Sequence, residues 1–298
     1  MTKISLSDLA HIDHSKPVLI AGPTASGKSD LALKIAQQFG GRIINADALQ
    51  VYSNWRVLSA RPSVEDEATA DHALYGHLPF DAEYSVGHWL RELPTFLNAQ
   101  ERPIIVGGTG LYFTALTQGL VDLPQIPEKI RNEASLRAQK SGYQVFLKEI
   151  AMETQKQLDT QNPMRVQRAW EVQKATGKPL HVWHAQTPPP VLPLDQCFPI
   201  LVESQKDVLN SRIERRFEQM LVSGAVEEVE AQLDHWDPSL LSSKAIGAAE
   251  LVSYLKGEIS IEEAQIRATI ATRQFAKRQR TWFRSKMKHW NRIEISAL

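Results

Sequence analysis

The octapeptide GPTASGKS, residues 22–29, most constrains what this chain can fold into. It has the spacing of a phosphate-binding loop, in which backbone N–H groups surround phosphate oxygens. The apolar run PVLIA (17–21) precedes it, and apolar residues at helical spacing follow it as far as Gly40. A strand, a glycine-rich loop and a helix are therefore expected in the order that the motif requires. The predicted phosphate-binding residues are Gly22, Pro23, Thr24, Ala25, Ser26, Gly27, Lys28 and Ser29.

Further apolar runs predict more strands of the same sheet. They are RIINA (42–46), PIIVGG (103–108) and FPILV (198–202). Apolar strands that alternate with helical patterns indicate a parallel sheet with helices on both faces, and ligands of such sheets bind beyond the carboxyl ends of the strands. Asp47 and Thr109 each follow a predicted strand, so both are expected to face the same crevice as the loop. Turn and helix-cap residues occupy such positions equally well, so the pattern leaves their role open.

The middle of the chain has a different composition. Eight of the sixteen prolines lie between residues 122 and 197, and polar helical stretches at 128–158 and 163–176 lie among them. We predict an inserted, mostly helical domain at 122–197 that interrupts a phosphate-loop core. The first part of that α/β core is expected at 1–121 and the second part at 198–298.

Charge is balanced overall but unevenly distributed. The chain has 34 basic and 34 acidic residues, yet residues 267–292 contain nine Lys or Arg and no acidic residue. Within this segment, basic residues recur every three or four positions, and aromatic residues lie between them. A basic helical face with aromatics favours a polyanion such as RNA, while a solvated helix whose aromatics fill the core remains the alternative. The basic residues are Arg273, Lys277, Arg280, Arg284 and Lys288, and the aromatics are Phe275, Trp282, Phe283 and Trp290.

Composition also limits the cellular location that we expect. No apolar run has the length of a membrane span, and the first 17 residues lack the apolar centre of a secretory signal. Cys197 is the only cysteine, which excludes an internal disulfide and suits a reducing compartment. The sequence therefore predicts a cytoplasmic protein without a membrane partner.

These patterns leave three classes of function open. The first is a small-molecule kinase that uses ATP, with Asp47 as the base. The second is a nucleic-acid-binding NTPase, which is disfavoured because the strand at 103–108 ends in glycines and Thr109 rather than in an acidic residue. The third is a transferase whose donor is a diphosphate but not a nucleotide. A kinase does not require the basic, aromatic segment near the end of the chain, but residue spacing alone does not decide between the three.

Six further segments, together with the loop, resemble one known family. The chain is similar to the tRNA dimethylallyltransferases, also called tRNA isopentenyltransferases, and the matching segments follow the family's order across nearly the whole chain. The combination of the loop, VGGTGLY and AKRQ-x-TWFR is highly specific. The segments are DALQVY (47–52), VGGTGLYF (106–113), NPMRVQRAWEV (162–172), RIERRFEQML (212–221), KAIGAAEL (244–251) and TRQFAKRQRTWFR (272–284).

The resemblance implies a reaction and a role for individual residues. The donor would be dimethylallyl diphosphate, and the acceptor would be the N6 amine of the adenosine on the 3′ side of the anticodon in a tRNA anticodon stem-loop. Lys28, Arg216 and a Mg²⁺ ion held through Ser29 would stabilise the departing diphosphate. Asp47 would act as general base, and Thr109 would help to place the flipped adenine. Such loops are often described as ATP-binding by motif, although this transfer needs no nucleotide.

The resemblance also implies a set of residues that contact tRNA, and we expect the protein to act as a monomer. The set combines the crevice, the inserted domain and the basic segment. Its members are Asp47, Ala48, Leu49, Gln50, Thr109, Arg131, Met164, Arg165, Val166, Gln167, Arg168, Lys277, Arg280 and Arg284.

The chain departs from the family's usual sequence at two places. Ala48 stands where the family usually has serine, so one hydroxyl near the acceptor is missing. Ala248 and Ala249 follow Gly247, where the family usually has tyrosine and then lysine or arginine. An aromatic ring and a basic group that would help to hold tRNA are therefore absent at this position.

Overall fold

A computed structural model describes residues 13–97 and 99–295 of the chain. It divides into two compact units, one formed by Met1–Gln118 with Val191–Leu298 and the other by Gly119–Pro190. The sequence had suggested 122–197 for the insertion. Residues after Pro190 belong to the first unit because Leu192 and Cys197 are buried in its core.

The first unit contains a six-stranded sheet. Neighbouring strands are all parallel, in the order β3-β2-β4-β1-β5-β6. The predicted α/β fold with a parallel sheet is therefore confirmed, and each predicted apolar run forms a strand. The strands are β1 (Val18–Ala21), β2 (Arg42–Asn45), β3 (His72–Ala73), β4 (Pro103–Gly107), β5 (Phe198–Glu203) and β6 (Asn291–Glu294).

Helices connect and cover these strands. Those numbered α6–α9 belong to the second unit, and the others belong to the first. The helices are α1 (Lys28–Phe39), α2 (Val64–Thr69), α3 (Val86–Glu92), α4 (Pro94–Leu97), α5 (Gly110–Gln118), α6 (Glu128–Ser141), α7 (Met152–Gln157), α8 (Pro163–Thr176), α9 (Leu180–His184), α10 (Lys206–Val222), α11 (Ala225–Glu230), α12 (Ala248–Leu255) and α13 (Ile261–Lys286).

The sheet is buried on both faces, which explains why its strands are continuous apolar runs. Side chains of β1 alternate between two clusters, because successive residues of a strand point to opposite faces. Leu19 joins the cluster that contains Trp89 and Phe113, while Ile20 joins the cluster that contains Leu31. The carboxyl ends of β1, β2 and β4 consequently lie at one rigid edge of the sheet.

The second unit has its own hydrophobic core. Phe146 packs against Trp170, with ring centroids 5.0 Å apart, and Val166 is fully buried beside them. The Trp170 indole N–H donates to Glu149, which also pairs with Arg137. This unit is helical, and no strand occurs within it.

Helix α13 carries most of the predicted basic segment. It begins after Ser260, whose side chain accepts the Glu263 N–H, and it ends at Lys286. The prediction that Lys288 extends the basic helical face is therefore wrong, because the chain leaves the helix there and enters β6. Phe283 and Trp290 are buried in the core of the sheet, so these two aromatics have the structural role that was the alternative.

None of the helices that the structure describes is both long and apolar enough to cross a membrane.

Candidate functional site

The loop between β1 and α1 has the backbone shape of an anion-binding site. Ala25 and Gly27 both have positive φ, at 61° and 87°, and Gly27 immediately precedes α1. Consecutive N–H groups in such a turn, together with the N-terminus of a helix, attract negative oxygens. A side chain at Gly22 would approach the Ser26 hydroxyl to 2.7 Å, so the tight turn requires glycine there. The predicted phosphate-binding loop thus has the expected geometry.

Helix α10 places three arginines beside this loop. Arg212, Arg215 and Arg216 line one pocket together with Lys28 and Ser29. Arg212 donates to the Ser26 carbonyl at 3.5 Å and to the Ile295 carbonyl at 3.2 Å, which fixes it beside the loop. Spacing of three and four residues places these arginines on neighbouring positions of one helix face. The resemblance had assigned only Arg216 to this place.

Two of these cations are perturbed by their surroundings. Loss of water around the partly buried Lys28 ammonium lowers its pKa to about 8, and Asp47 and Asp30 oppose that effect. Burial also lowers the pKa of Arg216 from its ordinary value. Cations that have lost hydration without gaining an anion are ready to bind one.

A second cavity shares Lys28, Ser29 and Arg216 with the arginine-lined pocket. Asp47 and Gln50 form its polar side. Its apolar side combines residues from two helices, α10 and α13, and two loops, with Phe275 contributed by α13. The apolar lining residues are Leu49, Leu58, Ala60, Ile213, Phe217, Met220, Ala245, Ile246 and Phe275. An anion site and a partly apolar cavity therefore meet at the same cations.

Asp47 is held at the carboxyl end of β2 by its neighbours. The buried Asn45 side chain accepts the Asp47 N–H at 2.8 Å and donates to the Asp47 carbonyl at 2.9 Å. The Asp47 Oδ1 atom accepts the Leu49 N–H at 3.1 Å. The carboxylate is thus positioned by backbone contacts and lines the cavity, as the sequence predicted.

Thr109 lies next to Asp47 because β4 and β2 are neighbouring strands. Its N–H donates to the Ala46 carbonyl at 3.3 Å, and its hydroxyl oxygen accepts the Ala48 N–H at 3.0 Å. Ala48 thereby contributes a backbone contact that does not depend on its side chain. The missing serine hydroxyl leaves this link between the two loops intact.

Gln50 lines the same cavity, but its N–H donors form hydrogen bonds within the protein. Its Nε2 atom donates to the carbonyls of Ser59 and Ala60, both at 2.9 Å. Within residues 13–97 and 99–295, its Oε1 atom has no hydrogen-bond partner, and the side chain lines the cavity. Gln50 can therefore offer a hydrogen-bond acceptor to a ligand.

The remaining predicted residues are distributed over both units. In the second unit, Arg131 and Arg165 are exposed and Met164 is 75% exposed, whereas Arg168 pairs with Glu171 at 3.6 Å. Val166 is fully buried, so its side chain is not accessible to a ligand, and its place in the tRNA-contacting set stays a prediction. Gln167 donates to Glu171 at 2.9 Å.

Helix α13 brings part of its basic face beside the phosphate loop. Arg280 and Arg284 line a further cavity together with Pro23 of the loop. Lys277 and Arg284 are exposed, whereas Arg273 pairs with Glu214 at 3.0 Å. Arg280 and Arg284 are thus available to a ligand beside the loop, and Lys277 is exposed elsewhere on the same helix.

Sequence reasoning missed several contributors to the site. Tyr75 is one, since it lines a small cavity with Ser29 and Asp30, and burial raises the pKa of its hydroxyl, with the Asp47 charge acting in the same direction. Gln279 is another, because its buried side chain on α13 contacts the phosphate loop. No local pattern marks either residue, although Gln279 lies inside the quoted TRQFAKRQRTWFR segment. Ala248 is fully buried in the core beside Phe217, so a tyrosine could not simply be added there.

The comparisons with known proteins agree with one another. A family model described as IPP transferase matches residues 50–286, and a model described as isopentenyl transferase matches residues 16–74. A tRNA dimethylallyltransferase from Ruegeria sp. (strain TM1040) is 53% identical, over 97% of this chain and 99% of its own. One from Dinoroseobacter shibae is 54% identical, over 97% and 98%. The crystal structure of a tRNA delta(2)-isopentenylpyrophosphate transferase from Staphylococcus epidermidis has a TM-score of 0.65 and 30% identity, over 95% of this chain and 94% of that one.

Proposed function

Because the chain belongs to the tRNA dimethylallyltransferase (IPP transferase) family, we propose that it transfers a dimethylallyl group to tRNA. The donor is dimethylallyl diphosphate, the acceptor is the N6 amine of the adenosine on the 3′ side of the anticodon, and diphosphate is released. One observation carries the proposal beyond family membership. The arginine-lined loop pocket and the cavity with Asp47 meet at Lys28, Ser29 and Arg216.

The loop pocket suits the leaving group. As the bond between the allylic carbon and oxygen breaks, negative charge grows on the diphosphate. Loop N–H groups, Lys28 and Arg216 stabilise that charge more strongly than the charge of the bound donor, and such differential stabilisation lowers the barrier. The apolar side of the adjoining cavity offers the five-carbon group a surface away from water.

Asp47 suits the acceptor side of the reaction. An adenine amine is a weak nucleophile and must lose a proton as it attacks the allylic carbon. Asp47 takes that proton. The Thr109 oxygen already accepts the Ala48 N–H, so the Thr109 hydroxyl proton can be donated to the adenine. The adenine reaches these groups only when it is flipped out of the anticodon loop.

A Mg²⁺ ion fits the residues at the loop. Within residues 13–97 and 99–295, no group of three or more His, Cys, Asp or Glu side chains could hold a metal ion. Mg²⁺ commonly binds through one or two protein oxygens together with substrate phosphates. Ser29 lines both cavities and would supply such an oxygen, so the ion would neutralise diphosphate charge when donor is present.

Binding of tRNA is assigned to surfaces beyond the cavity. Arg280 and Arg284 of α13 lie near the loop, and Lys277 is exposed on the same helix. Arg131 and Arg165 add exposed positive charge in the second unit. We propose that the unit at 119–190, with Met164, Gln167 and Arg168, contacts the anticodon stem-loop. A single chain supplies the phosphate loop, Asp47 and Arg216, which supports a monomer as the active form. A tRNA substrate supports a cytoplasmic location.

The proposal is tested by offering the purified protein both donor classes. The protein is incubated with bulk tRNA and either dimethylallyl diphosphate or ATP, and the nucleosides are analysed by mass spectrometry. Prenylated adenosine should form with dimethylallyl diphosphate and without ATP. An ATP-dependent phosphoryl product on a small acceptor, with no prenylated adenosine, would instead support a kinase, and tRNA-stimulated ATP hydrolysis alone would support an NTPase.

Donor affinity is expected to fall as the pH rises above about 8. In the free protein the Lys28 pKa is about 8, and a bound diphosphate favours the charged form and raises that pKa. Binding therefore takes up a proton above pH 8, and the dissociation constant should rise by up to about tenfold per pH unit there, while Lys28 adds no pH dependence below it. Calorimetry with dimethylallyl diphosphate in the absence of tRNA measures this. Lys28→Ala is the control. It should bind the donor weakly, and its dissociation constant should not rise in this way above pH 8.

Neutralising Lys277, Arg280 and Arg284 together is expected to weaken tRNA binding and to reduce its salt dependence. Each lost phosphate contact removes roughly 0.7–0.9 from the slope of log K against log salt, so the slope should flatten by about 2–3. Donor affinity should change little. The matched control neutralises the exposed Lys34, Arg91 and Lys256. An equal slope in both triple variants would mean that the α13 face is only solvated.

A further inference from the structure

We infer that Gln279 is a positioning residue that fixes the donor-holding loop relative to the acceptor-holding loop. Its side chain is 6% exposed and lies on α13. Its Oε1 atom accepts the Thr24 N–H of the phosphate loop at 2.9 Å, and its Nε2 atom donates to the Gly108 carbonyl at 3.0 Å. One amide group therefore joins the ends of β1 and β4. The inference rests on the proposed function.

The orientation of this amide is determined by its partners. Thr24 offers an N–H, which requires an oxygen, and Gly108 offers a carbonyl, which requires an N–H. Only one of the two amide orientations satisfies both. An amide accepts at one atom and donates at another whatever the pH, so this position favours glutamine over a side chain that only accepts or only donates.

Each partner of Gln279 leads to one half of the reaction. Thr24 belongs to the loop proposed to hold the diphosphate and also lines the cavity with Asp47. Gly108 precedes Thr109, whose hydroxyl oxygen accepts the Ala48 N–H beside Asp47. Hydrogen bonds and the short backbone segments between them thus connect the phosphate loop, through Gln279, to the loops that carry Thr109 and Asp47.

The close packing around this link leaves little room for adjustment. A Cβ atom on Gly108 would collide with the Gln279 Nε2 atom, and it would lie 3.3 Å from the Asp47 Oδ2 atom. Glycine at 108 therefore lets the amide approach the backbone beside the proposed base. The ladder between β1 and β4 ends at Ala21 and Gly107, and Gln279 joins the two loops that follow these strands.

Removal of the link is expected to affect transfer more than binding. Gln279→Met keeps a similar side-chain length but leaves the Thr24 N–H and the Gly108 carbonyl without partners. A displacement near 1 Å between reacting groups can cost about 10²-fold in rate. We expect the single-turnover rate at saturating donor and tRNA to fall by about 10- to 100-fold. The dissociation constants of tRNA, and of dimethylallyl diphosphate without tRNA, should change by less than about threefold.

Gln279→Glu gives a test by rescue. A protonated carboxyl group can accept the Thr24 N–H and donate to the Gly108 carbonyl, whereas the ionised group cannot donate. The single-turnover rate of this variant relative to wild type should therefore rise as the pH is lowered. The ratio of rates removes the pH dependence that Asp47 and Lys28 give to wild-type protein, and Gln279→Met, which adds no charge, shows whether loss of the link itself alters that dependence. Gln279→Met should show no such recovery.

The exposed Gln274 on the same helix provides the matched control. Gln274→Met and Gln274→Glu should both keep the wild-type rate. A folded Gln279→Met variant with the wild-type single-turnover rate would overturn the inference, and so would a Gln279→Glu rate ratio that is independent of pH. If wild-type protein forms no prenylated adenosine in the same assay, the proposed function fails as well, whereas normal wild-type transfer isolates the failure to Gln279.

Discussion

Asp47→Asn is expected to slow the chemical step by about 10²- to 10⁴-fold, the usual contribution of a general base. The substitution keeps the size of the side chain, and the amide oxygen can still accept the Leu49 N–H that Asp47 Oδ1 accepts at 3.1 Å. It removes the group that takes the proton of the adenine amine. Affinities for tRNA and donor should be nearly unchanged, because the carboxylate charge is needed mainly as the amine becomes cationic.

Single-turnover rates across a magnesium titration distinguish this role from metal binding. If Asp47 instead bound Mg²⁺ with Ser29, the variant would bind donor poorly and would regain rate at high magnesium. Such a recovery would overturn the general-base assignment and leave the transferase proposal in place. Asp81→Asn, which alters an exposed carboxylate outside both cavities, is the control and should keep the wild-type rate.

Lys28→Ala is expected to reduce turnover at saturating donor by at least about 10²- to 10³-fold, as when one stabilising donor to a developing oxyanion is removed. The Lys28 ammonium lines both cavities at the position where the leaving diphosphate would gain charge. Donor affinity should also weaken, but less than the rate, because the charge to be stabilised increases during the reaction.

Lys34→Ala is the matched control for this prediction, since Lys34 lies on the same helix α1 with an exposed side chain. It should retain normal turnover. Near-normal turnover of Lys28→Ala at saturating donor would show that the loop does not hold the leaving group. Measurement of prenylated adenosine under single-turnover conditions separates this loss from slow product release.

The strands and the phosphate loop could be predicted because their signals are local. Each apolar run that was assigned to the sheet forms a strand, and the glycine positions of the loop dictate its backbone without reference to distant residues. The parallel direction of the strands places Asp47 and Thr109 at the same edge as the loop, whereas the order of the strands was not predicted. These predictions use only contacts between residues that are near in sequence or on neighbouring strands.

Features of the C-terminal segment could not be predicted in this way. Strand β6 is four residues long, has no continuous apolar run and forms only because it pairs with β5. On α13, basic spacing indicated one polar face, but whether Phe275 lines a cavity or Phe283 fills the core depends on what packs against each side. Side-chain periodicity gives the face of a helix and not its neighbour.

The sequence by itself determined the phosphate loop, the parallel sheet and, through seven matching segments, the family of this protein. The tertiary structure alone decided that Val166 is buried, that three arginines of α10 face the loop, and that Gln279 joins Thr24 to Gly108. The two residues of the Gln279–Thr24 bond are 255 positions apart. A local sequence pattern does not indicate such a contact. The free energy of the hydrogen bond depends on the whole fold bringing two distant backbone segments within hydrogen-bonding distance.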